Sequence, residues 1–321
     1  MIEAQMAKTA KMIMENVLGI KPGENLCILT DTERPESITR VLAIAAQMAG
    51  AETVIVTMTP REMGGVEPPS IVASAMIAAD AIVNQTSHSL THTNTQRKAL
   101  KRGARVCNLR EVNEDMMIRG GITADYVKVK ELTEKLANLL TVSKKVHITT
   151  PQGTNLTMSI EGRKGNILAG FATSPGDFSG LPDGEACVAP LEDMAEGIVV
   201  NPYSIEKINI IKEPFRLEVK NGKVVKIEGG KEAKQLESII EKAGETGRNI
   251  AEFAIGTNPE CRITGISRED KKSWGSAHIA LGDSKTLGGI VESYMHLDII
   301  MLKPTVVIDD LLVIDNGKIV Y

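Results

Sequence analysis

The sequence predicts an α/β N-terminal domain with a parallel sheet and flanking helices, followed by an α+β C-terminal domain with a mostly antiparallel sheet. Three observations predict it. Over residues 1–143 short apolar runs alternate with helical patterns, the rhythm of strands joined by crossover helices. From residue 144 onward that rhythm gives way to paired runs separated by turn residues. Two of these pairs are joined by Asn-Gly, the strongest short-range hairpin signal.

In order along the chain, "MIEAQMAKTAKMIMENVL" carries acids and lysines among its apolar positions, so it reads as an amphipathic helix rather than a signal peptide. "NLCILT" (25–30), "ETVIVTM" (52–58), "AIVNQT" (81–86) and "ARVCNL" (104–109) read as buried strands, with helices near 34–49, 70–79 and 93–102. The helix "YVKVKELTEKLANLLTV" is expected to close this first unit. "VHITTPQGTNLTMSIEG" then reads as strand, turn, strand. "FRLEVKNGKVVKIEGG" and "LLVIDNGKIVY" are the two Asn-Gly hairpins, and "KEAKQLESIIEKAG" (231–244) is the one clear helix among them. No internal repeat or low-complexity segment is present.

Composition excludes several function classes. A net charge of −4, spread along the chain, and 3% aromatic residues offer neither a basic surface nor a stacking platform for nucleic acid. The four cysteines, Cys27, Cys107, Cys187 and Cys261, form no C-x-x-C pair, so buried thiols in a reducing, cytoplasmic setting are expected. No apolar run reaches the roughly 18 residues of a membrane span. Ligands of open α/β sheets gather at the carboxyl ends of the strands. The first strand runs into "LTDTERPES", without G-x-G-x-x-G or a P-loop, so a dinucleotide or nucleoside triphosphate is not expected.

Ionisable groups gather in the second half. "SYMHLDIIM" (293–301) places His296 and Asp298 two apart in an apolar run, on one side of a strand. His278 lies in "GSAHIALGD", Glu252 in "NIAEFAIGTNP", and Glu185 in "GLPDGEACVAP". Three carboxylates and two imidazoles suit divalent Zn, Mn, Co or Fe, and five such groups can hold one ion or a pair roughly 3.5–4 Å apart. Each has a plainer reading beside it. His278 could be a hydrogen-bonded core residue, Glu185 a solvated acid after its turn, Glu252 the partner of a lysine, and His296 with Asp298 an internal hydrogen-bonded pair. His88 and His92, in "NQTSHSLTHTNTQ" after the third strand, are candidates for proton transfer or substrate orientation. The alternative is that they are polar residues at a helix start. His147 opens a strand and is expected to be ordinary.

"LPDGEACVAP", "AEFAIGTNP", "GSAHIALGD" and "SYMHLDI" resemble, in order and spacing, the M29 family of metalloaminopeptidases of the aminopeptidase T type. The chain looks closest to that family's shorter, leucyl aminopeptidase-like branch. That branch is also similar to the iron-dependent 2,5-dihydroxypyridine 5,6-dioxygenase. The resemblance is strong over the second half and looser over the first. It implies Glu185, Glu252, His278, His296 and Asp298 as ligands of one or two divalent ions, a homodimer, and a small-molecule or short-peptide substrate. It also implies that residues 1–143 contribute to the substrate cavity and 144–321 form the metal-binding catalytic domain. Two departures stand out. The family's catalytic glutamate falls in "REDKKSWGSAH", where Lys271 stands near its place with Glu269 and Asp270 beside it. Its tyrosine seven residues past the first histidine is Lys285 here.

Two activities follow as expectations, with a metal-stabilised structural or binding protein as the non-enzymatic alternative. The first is a metal-dependent aminopeptidase, with Glu269 or Asp270 as general base for a metal-activated water. The second is a mononuclear Fe(II) ring-cleaving dioxygenase for a dihydroxypyridine-like substrate, with Glu252, His296 and Asp298 as ligands and His88 and His92 assisting deprotonation.

Overall fold

The structure is a computed structural model, and it describes residues 2–91 and 93–321. The chain divides into two compact units, Met1–Tyr126 with Ala169–Asp183, and Val127–Leu168 with Gly184–Tyr321. This differs from the expected division at residues 143 and 144, for two physical reasons. The helix Tyr126–Val142 gives Leu136 and Leu140 to the core of the second unit instead of closing the first. Residues 169–183 return to the first unit, where Phe178–Gly180 adds a parallel strand beside Arg105–Asn108.

The first unit is built on a parallel sheet. Its five strands run in the spatial order Glu52–Met58, Asn25–Asp31, Ala81–Gln85, Arg105–Asn108 and Phe178–Gly180. Helices Glu36–Met48, Ser70–Ala78 and Asn94–Lys101 form the intervening crossovers. The central strand Ala81–Gln85 is buried at every position, as a strand covered on both faces must be. Thr93 caps the helix Asn94–Lys101 by accepting from the amide of Gln96 at 3.1 Å, which satisfies one of the free N–H groups of the first turn.

The second unit holds two antiparallel sheets around one core. The larger runs Lys223–Gly229, Phe215–Lys220, Ala195–Val200, Asn155–Ser159, Lys145–Thr149, Thr305–Ile308, Leu311–Asp315 and Lys318–Ile319. The smaller runs Asn209–Ile210, Ser204–Ile205, His296–Met301, Ala277–Gly282, Ile250–Gly256, Glu185–Val188 and Asn166–Leu168. Val146, Leu156 and Leu217 from the first sheet, Phe253, Ile279 and Ile299 from the second, and Leu236 and Ile240 from the helix Lys231–Ala243 share that core. Both Asn-Gly hairpins form. Asn221 and Gly222 have φ of 47° and 68°, and Asn316 and Gly317 have 45° and 83°, the left-handed pair that a two-residue hairpin turn requires. Among the described residues, no helix is long and apolar enough to cross a membrane.

Candidate metal centre

Four neighbouring strands of the smaller sheet carry the candidate residues: Glu185–Val188, Ile250–Gly256, Ala277–Gly282 and His296–Met301. Alternate positions enter the core, namely Ala186, Val188, Phe253, Ile255, Ile279, Leu281, Leu297 and Ile299. Strand period then turns Glu185, Cys187, Glu252, His278, His296 and Asp298 to the opposite face. Register aligns them further, since Glu252 pairs across to Ala280 and Ala280 to Asp298, while His278 lies opposite Ala254. The small side chains of Ala254 and Ala280 keep the face clear between the polar groups. Glu252 owes its direction to a β-bulge. Ile250 and Glu252 face successive partners Leu281 and Ala280, so Ile250 and Phe253 both reach the core although three apart. Such an inserted residue re-aims the side chains that follow it.

The side chains fall into two groups, Glu185 with Glu252 and His278, and Glu252 with His296 and Asp298. In each, one oxygen or ring nitrogen per residue lies within 4.8 Å of the others. His296 Nδ1 is 2.8 Å from the carbonyl oxygen of Asp283. A carbonyl only accepts, so Nδ1 carries the hydrogen and Nε2 is turned to the carboxylates. Nε2 stands 2.8 Å from Glu252 Oε2 and 3.5 Å from Asp298 Oδ1. Lys271 Nζ lies 2.5 Å from Asp298 Oδ2. Lys272 Nζ and His278 Nε2 approach Glu185 Oε2 at 2.9 and 3.3 Å. Cys187 follows Glu185 by two residues on the same strand.

Burial and charge oppose one another at each of these groups. Burial pushes the Glu185 carboxyl up, but Lys272, His278 and Lys271 outweigh it and hold the group down to about 2. Asp298 is likewise favoured by burial as the neutral acid, yet Lys271 and His296 keep it ionised well below the usual range. Burial disfavours charge on His296, while its hydrogen bonds to Asp298 and Glu252 raise it well above an ordinary histidine. The Cys187 thiol is pushed well above its usual range by burial and by Glu252 and Glu185, so it stays a neutral thiol.

The donor set fits a divalent cation. Neither ring nitrogen of His278 has an aligned hydrogen-bond partner, and Glu185 Oε2 and Asp298 Oδ1 are met by Lys272, His278 and His296 at poor alignment, a condition native interiors seldom tolerate. Carboxylate oxygens and imidazole nitrogens converging in this way are ligands for Zn, Mn, Co or Fe. The Nε2 proton of His296 and such an ion compete for one lone pair.

All five residues expected as ligands therefore stand on one face of one sheet. Glu185, which its turn suggested as solvated, is buried, and it is Glu185 rather than Glu252 that meets a lysine. Glu269 and Asp270, expected as general bases, belong to neither group. Glu269 accepts from Arg262 N and Nε at 3.2 and 3.4 Å. Asp270 Oδ1 accepts from the amides of Thr264 and Gly265 at 2.7 and 3.2 Å, and burial raises its carboxyl to about 6. Both secure the loop before the His278 strand. Lys285 is exposed and paired with Glu292. His147 has an ordinary partner, Asn155 Oδ1 at 2.8 Å. His88 is half-buried in the bend after Ala81–Gln85, its carbonyl accepting from Thr86 Oγ1 at 2.8 Å. His92 lies outside the described residues.

Cys187 and Lys272 escaped the reading of the sequence as neighbours of the site, and Lys271 entered it only as the residue near the family's catalytic-glutamate position. Cys187 was within reach of it, being two residues past Glu185 on the same strand face. The carboxylate contacts of Lys271 and Lys272 were not, because lysines at two successive positions ordinarily mark solvent.

The profile of a family described as NicX, 2,5-dihydroxypyridine 5,6-dioxygenase, matches residues 11–321. Among solved structures, the 2,5-dihydroxypyridine dioxygenase from Pseudomonas putida KT2440 superposes with a TM-score of 0.81 at 21% identity, over 99% of this chain and 97% of that one. The wild-type AmpT from Thermus thermophilus superposes with a TM-score of 0.72 at 16% identity, over 100% of both chains. No curated protein matches. At these identities the two structures speak for a shared fold, an N-terminal parallel sheet with C-terminal antiparallel sheets. The family match covers nearly the whole sequence, so the chain belongs to the 2,5-dihydroxypyridine 5,6-dioxygenase family.

Proposed function

We propose that this protein cleaves a dihydroxypyridine-like ring with dioxygen, using one divalent ion held by Glu252, His296 and Asp298. The observation that carries this reading is the convergence of one imidazole and two carboxylates, with His296 and Asp298 each oriented by a further contact, in a chain of this family. When bound, a redox-active ion such as iron supplies the one-electron chemistry that a spin-paired ring and dioxygen lack. The protein's own part is orientation. The Asp283 carbonyl fixes the His296 ring, and Lys271 takes Asp298 Oδ2, leaving Oδ1 toward the group. Such outer contacts commonly decide ligand orientation and affinity.

The aminopeptidase reading has less support, because the acids it needs as general base are held in the loop by Arg262, Thr264 and Gly265. One observation favours it. The group Glu185, Glu252 and His278 shares Glu252 with the first, as a pair of bridged ions would require.

Activity separates the two. The protein loaded anaerobically with Fe²⁺ is expected to consume one dioxygen per 2,5-dihydroxypyridine opened, with both atoms of ¹⁸O₂ entering the product. Release of p-nitroaniline from leucyl-p-nitroanilide under nitrogen, with no oxygen uptake on the pyridine, would sink the dioxygenase reading in favour of the peptidase.

A further inference from the structure

We infer that the Lys272 ammonium serves as a built-in cation in the second ligand group, so that the centre accepts one divalent ion and excludes a second. The inference rests on the metal-centre reading above, not on the identity of the reaction.

Two groups of ligand atoms share Glu252, and taken alone they describe a two-ion site. A lysine ammonium contacts a carboxylate in each of them, but on different terms. In the group of Glu185, Glu252 and His278, Lys272 Nζ stands 2.9 Å from Glu185 Oε2, the same oxygen that His278 Nε2 approaches at 3.3 Å. Lys272 is buried, 5% exposed, so its charge is not shared with water. Lys271 differs in placement. It takes Asp298 Oδ2 and leaves Oδ1, the atom 3.5 Å from His296 Nε2, facing the other group. One lysine thus leaves the second oxygen of its carboxylate to the ligand group, while the other takes the very oxygen that faces His278.

Charge supports the same division. Glu185, Glu252 and Asp298 act together with Glu206, whose carboxylate also acts on Lys271. Against Lys271 and Lys272, these four carboxylates leave two negative charges when both imidazoles are neutral. One divalent ion cancels them. A second would leave two uncompensated positive charges in a buried site, where charge interactions are weakly screened.

Manganese binding tests this without reference to turnover. The purified chain, stripped of metal, is titrated with Mn²⁺ by calorimetry and its electron paramagnetic resonance spectrum recorded. One ion per chain, with an uncoupled six-line signal, is expected. The substitution Lys272→Met keeps the length of the side chain and removes its charge. It is expected to raise the stoichiometry from one to two and to replace the six-line signal by that of an exchange-coupled pair. The double variant Glu185→Gln with Lys272→Met removes both halves of the ion pair and guards against misfolding of the single variant. It is expected to bind one ion. Two coupled ions in the unaltered chain, one ion in a folded Lys272→Met variant, or two in the double variant would each overturn the inference. No ion in the unaltered chain would overturn it together with the metal centre. Failure of ring cleavage alone, with one ion bound, leaves this inference standing and removes only the proposed reaction.

Discussion

His296 has its two nitrogens committed to different tasks, and that division makes its metal chemistry pH-dependent in a stated direction. Nδ1–H is fixed on the Asp283 carbonyl, and the proton on Nε2 is stabilised by Glu252 and Asp298, which raise the histidine well above its ordinary value. An ion must displace that proton. Below the raised pKa, apparent affinity for Mn²⁺ is therefore expected to increase about tenfold per pH unit. Calorimetry at pH 6, 7 and 8 measures this, and an affinity independent of pH would show that His296 is not a ligand. Asp298→Asn is expected to lower affinity by two orders of magnitude or more, since it removes a donor and leaves Lys271 without its partner. Asp270 gives a prediction about stability. Its carboxyl is raised to about 6 in the folded chain, so the native state holds the proton more tightly than the unfolded one. Stability should fall as pH rises from about 4 to about 6 and stay reduced above. Asp270→Asn keeps the acceptor for Thr264 and Gly265, and it should melt higher than the parent at pH 8 and lose that advantage near pH 4. At this scale the convergence of the candidate residues was legible because a strand's period of two makes His296 and Asp298 neighbours, and because carboxylates at strand ends need partners. The lysines were illegible, since burial of a charge depends on which distant carboxylate it meets.

The strands that bear these side chains stay close because glycine permits it. Gly282 lies opposite His296, has φ of +106°, and a Cβ there would come within 2.0 Å of the Met295 carbonyl oxygen. Gly282→Ala must both adopt a conformation L-residues avoid and push back the backbone beside His296. A loss of about 1–3 kcal/mol in urea unfolding is expected, with weaker Mn²⁺ binding. Unchanged stability would mean that the hairpin between Gly282 and His296 yields freely. Most elements were readable from pattern, the Asn-Gly hairpins above all, because their turn chemistry is local. The bulge before Glu252 was not, for a single inserted residue in "NIAEFAIG" leaves no break in hydropathy. The helix Tyr126–Val142 was recognisable as a helix, yet its apolar face does not specify which sheet it covers. That is why the expected boundary at 143 and 144 differs from the observed units.

At the scale of the molecule, the family and the fold agree while the expected leading activity does not follow. The motifs that resemble both peptidases and dioxygenases carry the candidate ligand residues, and those residues alone do not choose between water and dioxygen as co-substrate. The choice lies in residues around them, where this chain has Lys271 and Lys272 on the carboxylates and holds Glu269 and Asp270 in the loop through Arg262, Thr264 and Gly265. An ion bound only by the folded chain must also stabilise it. Mn²⁺ at about 100 times its dissociation constant is expected to add about 2.7 kcal/mol, seen as a higher melting temperature that excess chelator reverses. The central claim is that a cation site exists where Glu252, His296 and Asp298 converge, and anomalous diffraction from crystals grown with Mn²⁺ tests it most directly. One anomalous peak bonded to those three side chains is the expected result. Crystals with no peak there, or with His296 still donating to Glu252 while manganese binds elsewhere, would contradict it.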